Sequence, residues 1–225
     1  MSKNEWEGGT LKLPTAAWKP FRDGLAKAYN AQQTRRYELA LKVHAWLMGE
    51  KAKAPRGAFV FRTAYLALTN GGSGLAQDLR KAEFLDEYAL DGVLFSKGKN
   101  GLILPKKKDF PLAVATKTES YLVDEGQASI RLVPKTRQVV WHVSENNHAV
   151  DSAWESPLGK AFYALLSKVT WTRGTGGEFI GNDEYNEDNR DEGGGANYVT
   201  HRFGLKTAAE KASVTRFARE SFRYR

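Results

Sequence analysis

The sequence predicts an α+β fold, and three observations carry the prediction. Residues 1–92 repeat apolar side chains at helical spacing. From Val93 onward short alternating runs take over, and Gly, Pro and Asn clusters mark the breaks. The division suggests a mostly helical unit over 1–92 and an α+β unit over 93–225, with a single shared core as the other arrangement. The second unit carries the polar, Gly-rich candidate site.

The helical elements follow from caps and stripes. Thr15 caps a first helix with Pro20 near its start and Trp18, Phe21, Leu25 and Ala28 on one face. Thr34 caps a second, with Tyr37, Leu41, His44 and Met48 as its stripe and Gly49 as its stop. A third covers about Arg56 to Thr69 and ends at Asn70-Gly71-Gly72. A fourth covers about Gly74 to Leu90, with Leu75, Leu79, Ala82 and Phe84 or Leu85 inward and Gly92 as the stop.

In the second unit, Val93–Ser96 and Leu102–Leu104 flank KGKNG as a hairpin. A second hairpin joins Ala128–Val133 to Gln138–Ser144 through PKTR. Asn146 or Asn147 offers a cap, and Ser156-Pro157 starts a helix with Leu158, Phe162, Leu165 and Val169 at helical spacing. Trp171–Ile180 and Asn197–Phe203 read as strands on either side of an acidic loop. A basic helix over about Ala208–Phe222 follows, so this half reads ββαββα.

Composition bounds the chemistry. A formal charge of +8 with a pI near 9.5 points to polyanionic partners, nucleic acid (DNA or RNA) first. The absence of cysteine excludes disulfides, thiolate nucleophiles and cysteine-ligated metals. No run of 18 apolar residues predicts a membrane span, and MSKNEWEGGT lacks the apolar core of a secretory signal, so the expected location is cytoplasmic with no membrane partner.

The charge is unevenly distributed. Glu178 to Glu192 holds seven acids against one Arg, and Trp171 to Gly204 holds eight of the 21 glycines. This loop, 178–192, is the place where a basic protein partner would dock. Nucleic-acid contacts are expected where basic and aromatic residues interleave. Arg35, Arg36, Arg173, Arg202, Arg216, Arg219 and Arg223 would neutralise phosphates, and Trp171 and Tyr198 would stack bases. Arg173-Gly174-Thr175-Gly176-Gly177 reads either as a nest of backbone N–H groups for an anion or as a tight turn.

A nuclease reading assigns general acid–base roles to Glu178 and to His201 or His142, with Arg173 beside the phosphate. One metal reading takes His142, His148 and Asp151, with Glu178 or His201 from the later strands; a separate, looser magnesium or calcium site would use Asp183, Glu184 and Asp188. An EF-hand is excluded: with Gly193 sixth and Asp188 first, the third position is Arg190, and a cation cannot ligate calcium. GxGxxG, GK[ST] and GxSxG patterns are absent, which argues against nucleotide triphosphate binding through a P-loop and against serine-nucleophile chemistry.

Overall fold

The computed structural model describes residues 5–81, 87–95, 101–113, 120–124, 128–143, 157–182 and 198–204. Within them the chain is α+β. It divides into two compact units, Met1–Tyr29 with Ala113–Arg225 (unit 1) and Asn30–Leu112 (unit 2). The 92/93 division suggested by periodicity falls inside this second unit.

Unit 1 is built on a six-stranded antiparallel sheet. Its strands are β1 (Glu5–Lys12), β2 (Ser120–Asp124), β3 (Ala128–Val133), β4 (Gln138–Val143), β5 (Gly176–Asn182) and β6 (Tyr198–Gly204), in the order β2-β3-β4-β1-β5-β6. The first strand of the chain therefore lies in the interior of the sheet, between β4 and β5. Helical reading of residues 1–92 did not anticipate it, because EWEGGTLK has glycines where strand propensity would show.

Gly9 explains why glycine is there. A Cβ at that position would run into the Glu178 backbone carbonyl and stand 2.7 Å from Trp141 Cη2, so the indole occupies the space a side chain would need. A register shift between Trp6 and Gly8 marks an irregularity near the start of the strand.

The β3–β4 hairpin forms as expected over Ala128–Val133 and Gln138–Val143, with Ser144 outside the described residues. Pro134 to Arg137 make the turn, with the Arg137 N–H donating to the Pro134 carbonyl at 3.3 Å and Arg137 in the left-handed region at φ 55°. The end of β1 is tied to this turn: the Leu13 N–H donates to the Arg137 carbonyl at 2.9 Å, and Arg137 Nε donates to the Leu13 carbonyl at 3.3 Å.

The other elements are α1 (Thr15–Lys53), α2 (Phe61–Thr69), α3 (Gly74–Lys81), α4 (Glu87–Leu94), a 3-10 turn at Lys107–Asp109, and α5 (Pro157–Leu166). The two helices expected over residues 15–49 are one helix of 39 residues. Thr34 is not a cap; inside α1 its hydroxyl donates to the Asn30 carbonyl at 2.8 Å. No Gly or Pro lies between Asn30 and Met48 to stop the helix, and Gly49 lies within it. Pro20 is accommodated because Ala16, whose carbonyl loses its helical donor, is exposed. The third helix is shorter than expected, starting at Phe61 rather than near Arg56. Of the expected 93–104 hairpin, the described residues show a bridge between Phe95 and Leu102 and the Ile103 N–H donating to the Leu94 carbonyl at 2.7 Å, with 96–100 outside them.

Each unit has its own core. In unit 1, Leu11, Ile130, Leu132, Val139 and Trp141 on one face of the sheet pack with Trp18, Phe21, Leu25 and Tyr29 of α1 and Leu158, Phe162, Tyr163 and Leu166 of α5. Phe162, fully buried, meets Trp141 at 5.0 Å and Phe21 at 5.7 Å between ring centroids, both edge-on. In unit 2, Leu39, Ala40, Val43 and Leu47 of α1 pack with Phe61, Tyr65, Leu68, Ala76, Leu79, Leu90, Leu94 and Phe110. The buried stripe of this part of α1 is rotated from the one expected: Met48 is exposed and Tyr37, Leu41 and His44 are only half-buried.

Candidate functional site

Strand alternation sorts the unit 1 sheet into two faces. Leu11, Ile130, Leu132, Val139 and Trp141 belong to the buried one. The alternate positions form the other: Thr10 and Lys12 on β1, Ser129, Arg131 and Val133 on β3, Gln138, Val140 and His142 on β4, Glu178 on β5 and Arg202 on β6. Register aligns one row across all six strands, Tyr121–Arg131–Val140–Thr10–Glu178–Arg202, about 24 Å long at ordinary strand spacing. Arg131 and Lys12 are exposed, whereas Thr10, Val133, Gln138, Val140 and Glu178 are half-buried. The face therefore has a partly apolar middle with cationic residues on both sides of it. Among the residues whose side chains are described, the fixed charges of this face are Lys12 and Arg131 against Glu178.

Of the two histidines offered as partners of Glu178, the register puts His142 and not His201 in the same set of alternate positions. His142 and Glu178 occupy the same set of alternate positions, but β1 separates their strands, and a two-residue offset puts their backbones about 12 Å apart. His201 pairs with Phe179 and belongs to the opposite set. Backbone pleating thus places one of the three across the sheet from the other two.

Two expected nucleic-acid contacts are buried and act within the fold. Trp171 is part of the unit 1 core, with no open ring face for a base. Arg36 is 5% exposed; its Nη1 donates to Gln33 Oε1 at 3.2 Å and its guanidinium lies 6.0 Å from the Phe110 ring centroid. Both were selected for residue type, and helix or loop phase decided their burial.

Arg173 is exposed at a tight turn. The Thr175 N–H and hydroxyl both donate to the Thr172 carbonyl, at 3.2 and 2.6 Å, and the Thr172 N–H donates to Thr175 Oγ at 3.1 Å. Gly174 supplies the positive φ of 76° that such a turn requires. The Thr175 N–H, one of the donors a nest would use, is engaged within this turn, which is the tight-turn arrangement.

Arg35 is exposed on α1 in unit 2. Tyr198 and Arg202 lie on β6, opposite Asn182 and Glu178. His148, Asp151, Asp183, Glu184, Asp188, Arg216, Arg219 and Arg223 lie outside the described residues, as do most of the acidic loop and the C-terminal basic segment. Among the described residues no three His, Asp or Glu side chains come together as a metal-binding group. No described helix is long and apolar enough to cross a membrane.

Sequence reasoning passed over Lys12 and Arg131. The alternation in SIRLV was the available signal, since it sets Arg131 apart from Ile130 and Leu132. Lys12 became legible only with β1. No family model, curated protein or solved structure matches the chain.

Proposed function

We propose that this protein binds nucleic acid, with the strand laid across the face of the unit 1 sheet that carries Lys12, Arg131 and Arg202. The observation that supports this most is the contrast between the two faces. One is sealed by α1 and α5 over Trp141 and Leu11, while the other presents exposed Lys12 and Arg131 around half-buried Val133 and Val140. Cations neutralise phosphates, and the two half-buried valines offer apolar contact beside them. The net charge of +8 acts in the same direction by attracting a polyanion at long range.

The face of a sheet suits a single strand better than a duplex, whose bases are reached only through a groove. The test is fluorescence anisotropy with labelled single- and double-stranded DNA and RNA, titrated with salt in the presence of EDTA. Single strands are expected to bind with affinity that falls linearly on a log–log plot, at about 0.7 in slope per phosphate neutralised. Failure to bind any probe at low salt would overturn the proposal.

A further inference from the structure

Unit 2 holds a recess of about 580 Å3 between the middle of α1 and α3. Arg35, Glu38 and Lys42 of α1 and Asp78 of α3 line it, with buried Leu39 at its base. The volume lies in the range of small-molecule sites, about 300–1,000 Å3.

The charges around this recess behave differently from others on the same helix. Lys19 and Asp23, at i,i+4, pair at 2.8 Å, and Lys53 pairs with Glu50 at 2.8 Å. Glu38 and Lys42 have the same i,i+4 spacing, at which such residues ordinarily pair. Yet none of Arg35, Glu38, Lys42 and Asp78 makes an ion pair or side-chain hydrogen bond to another described residue. Two cations and two carboxylates therefore line one concavity with their donors and acceptors available. Leu39, in the unit 2 core, holds this stretch of α1 in that orientation.

The mixture of signs narrows the ligand. Carboxylates beside the cations repel a polyphosphate or an unbroken run of phosphates. A ligand with one anionic group and separate amino donors satisfies both. A nucleotide with an amino-bearing base has this pattern: its phosphate accepts from Arg35 and Lys42, and its exocyclic amino group donates to a carboxylate of Glu38 or Asp78.

We propose that this recess is a nucleotide site selective for bases that carry an exocyclic amino group over uracil, which rests on the reading of the protein as a nucleic-acid binder. The experiment measures calorimetric binding of AMP, CMP and UMP to the full chain, to Arg35→Ala and to Asp78→Asn, with circular dichroism confirming the fold of each variant. AMP and CMP are expected to bind wild type at least about tenfold more tightly than UMP, the discrimination of one good polar contact to a base. Arg35→Ala should weaken all three alike, and Asp78→Asn should shrink the preference over UMP. Equal binding of CMP and UMP to wild type, or a folded Arg35→Ala protein with unchanged affinities, would overturn the site. If oligonucleotides bind with the expected salt dependence while no mononucleotide binds at millimolar concentration, the recess proposal alone fails. If mononucleotides bind selectively and oligonucleotides do not, the sheet-face reading fails and the recess stands.

Discussion

Replacing Gly9 with alanine tests the placement of β1 in the middle of the sheet. The added methyl would collide with the Glu178 backbone carbonyl and approach Trp141 Cη2 at 2.7 Å and Cζ2 at 3.0 Å. The carbonyl cannot retreat without disturbing the β1–β5 ladder, in which Thr10 faces Glu178. The indole cannot retreat freely either, because its other contacts include the Phe162 ring at 5.0 Å. Overpacking of this kind costs about 3 kcal/mol at the upper end of its usual range. The stiffer unfolded chain returns about 0.5–1 kcal/mol, leaving a net loss of roughly 2 kcal/mol. For a chain of this size that corresponds to a fall of about 4–8 °C in the melting temperature.

Urea denaturation followed by far-ultraviolet circular dichroism measures the loss, in wild type and in a Trp141→Phe background. Phenylalanine lacks Cη2 and Cζ2 of the indole, so the penalty of Gly9→Ala should be smaller there, though not zero, because the carbonyl remains. A change under about 0.5 kcal/mol in wild type, the range of ordinary surface substitutions, would refute the packing argument. An equal penalty in both backgrounds would refute the role of Trp141.

Other consequences separate different parts of the fold. Gly24→Ala brings a methyl within 2.7 and 2.8 Å of the Leu165 methyl groups, but these are the ends of a flexible, half-buried side chain. The gain of about 1 kcal/mol in helix propensity offsets their displacement, so denaturation should show a net change below about 1 kcal/mol. Phe162→Ala removes the aromatic centre of the unit 1 core and should cost about 3–5 kcal/mol by the same assay. Hydrogen bonds from Lys19 and Arg22 lower the Asp23 pKa below its ordinary 3.8. Its stabilising contribution is present above that value and is lost as pH falls through the lowered pKa, with carbon-detected NMR titration of the carboxyl as the check. The group is largely solvated, so Asp23→Asn should leave stability at neutral pH nearly unchanged.

How much was legible in the sequence depended on whether the deciding contact was local. The β3–β4 hairpin was readable because Ile130, Leu132, Val139 and Trp141 alternate with polar residues on both sides of a Pro-containing turn. The helix starting at Pro157 was readable because Leu158, Phe162 and Leu165 repeat at helical spacing. Strand β1 was not, because Gly9 answers to Trp141 and Glu178, more than 130 positions away. The continuous α1 was mistaken for two helices because Thr34 resembles a cap, and a threonine hydroxyl bonds as readily to a carbonyl one turn back.

For the candidate site, residue type was a weaker guide than phase. Trp171 and Arg36 have suitable chemistry but are buried, whereas Lys12 and Arg131 are exposed through strand alternation. His201 is separated from His142 and Glu178 by one step of the pleat. The four charges around the unit 2 recess could not be grouped from sequence, since Asp78 reaches them only through the packing of α3.

The central claim is that nucleic acid lies on one particular face of the unit 1 sheet, and one comparison of salt dependence tests it most directly. Lys12→Ala with Arg131→Ala removes two cations from that face; Lys160→Ala with Lys168→Ala removes two exposed cations from α5 and the segment just after it. Both pairs change the net charge equally, so long-range attraction is matched between them. The sheet pair should reduce the log–log salt slope for single-stranded DNA by about 1.4 and weaken binding more than tenfold, while the α5 pair leaves the slope unchanged. Equal effects from the two pairs would mean that charge alone drives association, and would contradict the assignment of this face.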